Sequence, residues 1–164
     1  MGNLAKRIRW RAVIVGWISA IVAGIVLNLI FRAAHYGLFS GESLTLADAT
    51  ALVTISMISG FLAHSVGGYV AGRRAGISGW LNGAAVAVLG TAALLAAFVL
   101  VAAVALATAG ALVSVGDLAG GVPTADLVRQ LAISAVILFF MNLAGGALGG
   151  ALGGLDRSPS PSEG

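Results

Sequence analysis

The chain has 164 residues, 59% of them hydrophobic and only 9% charged, with a mean hydropathy of +1.04. Ordinary soluble domains carry about 25% charged residues, so this composition excludes a water-soluble fold. The net charge of +3 comes from a few clustered arginines rather than a basic face, which removes nucleic acid as a partner, and the absence of cysteine excludes disulfides, thiol catalysis and Cys lipidation.

About 20 apolar residues of helix cross a hydrocarbon core about 30 Å thick. Such stretches run over 10–31, 46–71, 79–106 and 130–154. Lipid offers no partner to backbone polar groups, and four spans cannot close a barrel, so each is predicted to be a helix. The first has too long an apolar region for a cleaved signal peptide and is followed by further spans, so it reads as an uncleaved helix. It carries a small-residue row, Gly16, Ala20 and Gly24, and one asparagine, Asn28.

In the second stretch Gly60, Gly68, Gly72 and Gly76 recur at multiples of four, with His64 at the missing step. That spacing predicts one ridge along which helix backbones approach closely in lipid. GGYVAGRRAG, residues 67–76, also has the glycine spacing of a phosphate-binding loop. Such a loop needs a strand before it, then Lys and a hydroxyl residue; here an apolar helix leads in and Arg73 and Arg74 take both positions. The two arginines read instead as anchors that stop the span at the cytoplasmic interface. The hydroxyls of this stretch need no functional explanation: Thr54, Ser56, Ser59 and Ser65 are expected to bond back to their own helix.

The third stretch opens with Ser78 as N-cap and Trp80 as interfacial anchor, and carries Asn82 and the row Gly79, Gly83, Ala87. The fourth carries two parallel rows, Gly145, Gly149, Gly153 and Gly146, Gly150, Gly154. These rows, with Gly60, Gly68 and Gly72, are the candidate helix-packing positions. Residues 1–155 form one transmembrane domain, and the polar Pro/Ser-rich tail, 156–164, is expected to be disordered.

With both termini cytoplasmic, Lys6, Arg7, Arg9, Arg11, Arg73, Arg74 and Arg157 lie inside and only Arg32 and Arg129 outside, the positive-inside bias. A shift of 78 residues aligns Phe61, His64, Gly67, Gly68 and Gly72 with Phe139, Asn142, Gly145, Gly146 and Gly150. Two tandem hairpins would produce that alignment; so would chance among glycine-rich helices.

No Asp or Glu lies in the middle of a span, and no protease motif occurs, so no enzyme, cofactor or metal site is expected. His64, Asn142, Asn28 and Asn82 are the candidate polar lining, with His64 and Asn142 paired by the repeat.

Over residues 67–84, GGYVAGRRAGISGWLNGA, the sequence resembles the YrzE-like small bacterial four-helix membrane proteins, a group of unknown function. The shared string is Gly-Gly, aromatic or aliphatic, Ala-Gly-Arg-Arg, followed by Gly79, Trp80, Gly83 and Ala84, with Asn82 where His is familiar. The resemblance implies a multi-pass protein of the bacterial inner membrane and carries over no site residue. The reading is an all-α membrane protein of four transmembrane helices that acts as a packing or assembly component, with the lipid bilayer, other copies or other membrane proteins as its partners. The alternative is a small channel or transporter subunit lined by His64 and Asn142. A water-filled cavity reaching both residues favours the alternative; a dry, glycine-packed core favours the first.

Overall fold

The computed structural model describes residues 7–39, 46–109 and 124–155. They form four α-helices: α1 Trp10–Phe39, α2 Leu46–Ala75, α3 Gly79–Ala109 and α4 Thr124–Leu155. Each holds a segment long and apolar enough to cross a membrane, Trp10–Gly37, Ala51–Ala75, Gly79–Val101 and Ala132–Leu155. The protein is therefore an all-α, multi-pass membrane protein. The tail predicted at 156–164 lies outside the described residues.

The helices run past the predicted span limits because a charge at the membrane boundary does not end a helix. Arg32 stays within α1, its Nε donating to Asn28 Oδ1 at 2.7 Å one turn earlier. Arg73 and Arg74 occupy the last turn of α2, where cations suit the carbonyl end of the helix.

The α2–α3 turn departs from the sequence reading at Gly76. This residue lies beyond α2 at φ 70°, with its N–H on the Gly72 carbonyl at 3.3 Å. It closes the helix as a left-handed cap, so the packing ridge ends at Gly72. Ser78 takes the N-cap position, its carbonyl accepting from the N–H groups of Leu81 at 3.0 Å and Asn82 at 3.2 Å. It does so at φ 46°, a conformation that costs a non-glycine residue about 1 kcal/mol.

Contacts between glycines establish the topology. Gly16 of α1 meets Gly67 and Ala71 of α2, and Gly24 meets Ala63, so α1 and α2 are antiparallel. Gly79 meets Gly150 and Gly154 while Gly83 meets Gly146, so α3 and α4 are antiparallel too. Gly68 lies against Gly146 and Gly72 against Gly150, which makes α2 and α4 a parallel pair. The chain is thus two hairpins of the same direction, with α2 packed on all three other helices. Two of the five pairs that the 78-residue shift aligns, Gly68 with Gly146 and Gly72 with Gly150, face one another across the α2–α4 contact, whereas Gly67 meets α1 and Gly145 meets Phe61.

Candidate functional site

One end of the bundle holds Arg73 and Arg74, the start of α1, the α2–α3 turn and the end of α4; we call it the arginine end. Backbones touch there. A Cβ on Gly68 or on Gly83 would run into the Gly146 carbonyl, one from α2 and one from α3. Gly72 and Gly79 meet the Gly150 carbonyl in the same way. Gly145, Gly149 and Gly153 face the carbonyls of Phe61, Ser65 and Tyr69. Val13, Val86 and Ala71 fill the remaining space at 0% exposure, so this end is shut.

Asn82 belongs to this closed end. Its Oδ1 accepts from the Arg9 N–H at 2.8 Å. Its Nδ2 donates to the carbonyls of Ile77 at 3.0 Å, Ser78 at 3.1 Å and Arg7 at 3.3 Å. It ties the approach to α1 onto the α2–α3 turn, a structural task that leaves it away from the other polar residues predicted with it.

Those others do come together. Beyond the glycine contacts a cavity of about 540 Å³ is walled by all four helices, with Asn28, Ser56, Ser59, His64 and Asn142 as its polar lining. Gly60, the outermost glycine of the predicted ridge, faces Asn142 rather than a backbone: its Cβ position is 2.9 Å from Asn142 Oδ1. Gly90 of α3 does the same for two rings, its Cβ position lying 3.2 Å from His64 Nε2 and 3.4 Å from Trp17 Nε1. The missing side chains at Gly60 and Gly90 keep this space open.

The hydrogen-bonding state of the walls follows from their partners. His64 Nδ1 is 2.8 Å from the Gly60 carbonyl, which can only accept, so Nδ1 carries the hydrogen. The neutral ring then presents Nε2 as an acceptor. Ser56 and Ser65 donate to the carbonyls of Leu52 and Phe61, each at 2.9 Å, as expected. Ser59 does not: it is 3% exposed, and its Oγ has no partner, nor has Asn142 Oδ1. The prediction that the hydroxyls of α2 bond their own helix fails at Ser59, which borders the cavity instead.

The cavity opens sideways. Its apolar rim, Ile21, Ile25 and Leu29 of α1 with Leu94 of α3, is exposed to the surroundings at 43% to 65%. Trp17, Ser59 and Gly90 were not among the predicted lining residues; their contribution depends on which helix lies opposite, a fact that no spacing within one helix carries. Comparison with known protein families, with curated proteins and with solved structures returns no match.

Proposed function

We propose that the protein is a non-enzymatic membrane component that holds a small molecule between its helices, a carrier-type subunit whose glycine-packed end forms the frame. The observation that supports this is the cavity reaching both His64 and Asn142. A continuous pore is a poorer description, because the arginine end is packed shut. Assembly through the glycine rows is also a poorer description, because the rows on α2, α3 and α4 meet helices of their own chain. The charge count supports cytoplasmic termini, and the string at 67–84 supports a place among the YrzE-like proteins of the bacterial inner membrane.

Access to the cavity is the test. In this cysteine-free chain, Ser59→Cys in proteoliposomes should react with N-phenylmaleimide, whereas Ala71→Cys, at a position with 0% exposure, should not. Equal inertness of the two thiols would remove the binding reading. In intact cells, Ser160→Cys should be shielded from an impermeant maleimide; labelling there would reverse the orientation.

A further inference from the structure

We propose that the cavity takes a neutral single-chain amphiphile whose compact head carries hydroxyl hydrogens, received sideways from the bilayer between α1 and α3. The proposal rests on the binding reading above and assigns its ligand class.

The route follows from the rim. Near the arginine end α1 and α3 are joined through Asn82 and Arg9 and through Gly16 and Val86, which would be 3.0 Å from a Cβ there. Further along, Ile25, Leu29 and Leu94 line the cavity and face outward at once. A cavity whose rim is made of exposed aliphatic side chains within a membrane span opens to acyl chains rather than to water. A ligand head inside would leave its tail lying against that rim.

The head chemistry follows from what the walls lack. Asn142 Oδ1 is an acceptor without a donor, and His64 Nε2 is an acceptor because Nδ1 is engaged by Gly60. The Ser59 hydroxyl, buried and unpartnered, has one hydrogen to give and two lone pairs. Two of these groups therefore require hydrogens from the ligand. A ketone, an ester or a carboxylate brings only acceptors; the Ser59 hydroxyl and the amide and indole N–H groups of the wall could meet it, but Asn142 Oδ1 and His64 Nε2 would still lack hydrogens. A diol, such as a glycerol head, brings a hydrogen for each of Asn142 and His64 and an oxygen for Ser59.

Charge points the same way. Among the described residues no acidic side chain lines the cavity. The nearest cation along α1, Arg32, directs its Nε to Asn28 Oδ1 at the mouth rather than into the interior. A charged head would lose its hydration on entering without gaining a counter-charge at depth.

The test uses Trp17 as a reporter inside the cavity. The other two tryptophans, Trp10 and Trp80, are 58% and 55% exposed, so Trp10→Phe/Trp80→Phe leaves a single emitter. In lipid nanodiscs it is titrated with three probes sharing one dibrominated stearoyl chain: the monoacylglycerol, the methyl ester and the free acid. The monoacylglycerol should quench Trp17 saturably, with a half-saturation about tenfold lower than either other probe, and Asn142→Leu and Ser59→Ala should each raise it several-fold. Equal quenching by the methyl ester would overturn the head assignment and leave the binding reading standing. Saturable quenching by the acid alone would replace the ligand class with an anionic one that meets Arg32. Only linear, non-saturating quenching by all three would sink the binding reading with it.

Discussion

The two ends of the bundle are built from the same four apolar helices and end up unlike. At the arginine end small residues recur every four positions on α2, α3 and α4, and carbonyls lie where side chains would otherwise stand. Toward the other end the α3 row continues as Thr91, Leu95 and Val99, Leu95 and Val99 are 61% and 66% exposed, and a cavity fills the gap. Lipid exerts no hydrophobic pressure between helices, so their separation is set locally by side-chain size and by the dispersion contact that size permits. One set of membrane-spanning helices can therefore be shut at one end and open at the other.

The sharpest way to break that contrast is one methyl group at the shut end. In Gly68→Ala the added Cβ would run into the Gly146 carbonyl, and Gly146 is held from the other side by Gly83. Because both obstacles are backbone, no rotamer relieves the clash; α4 must leave α2 or push α3. The expected loss is about 3 kcal/mol, the upper part of what overpacking costs, read by reversible unfolding in mixed micelles. An unchanged midpoint would mean that the backbones are not in contact and that the two ends are alike.

A second, smaller effect concerns the polar closure of the same end. Asn82→Ala strands the Arg9 N–H and removes a donor shared by the Arg7, Ile77 and Ser78 carbonyls. Some of those groups reach interfacial water, so the net loss should be about 2 kcal/mol, accompanied by faster hydrogen exchange at the Arg9 amide. Exchange at Arg9 equal to that of wild type would show that Asn82 does not hold the start of α1.

Much of this contrast is legible in the sequence alone. Four helices follow from four nearly uncharged runs, and the rows at Gly68 and Gly72 and at Gly146 and Gly150 follow from four-residue spacing, because both signals are internal to one helix. What is not legible depends on the neighbour. Ser59 and Ser56 look alike in sequence, yet only Ser56 finds its own carbonyl, since Ser59 is turned to the space between helices. Asn82 and Asn142 also look alike; one lies under the approach to α1 and the other borders a cavity. Gly76 keeps the spacing of the ridge but falls past the end of α2, because a left-handed turn is needed before Ser78.

The smallest expected effect sharpens the comparison by reversing its sign. Gly24 belongs to the row predicted on α1, yet a Cβ there meets only the Ala63 Cβ, at 3.4 Å, an ordinary van der Waals distance. Gly24 also borders the cavity, so a methyl group has room on that side. With no backbone in the way, the remaining term is the conformational freedom that glycine loses in a helix, worth up to about 1 kcal/mol relative to alanine. Gly24→Ala should therefore stabilise the protein by about 0.5 kcal/mol in the same micelle assay in which Gly68→Ala destabilises it. The sign matters more than the size. If Gly24→Ala were as damaging as Gly68→Ala, α1 and α2 would have to be in backbone contact at Ala63, and the closed region would extend along α1 to the cavity wall.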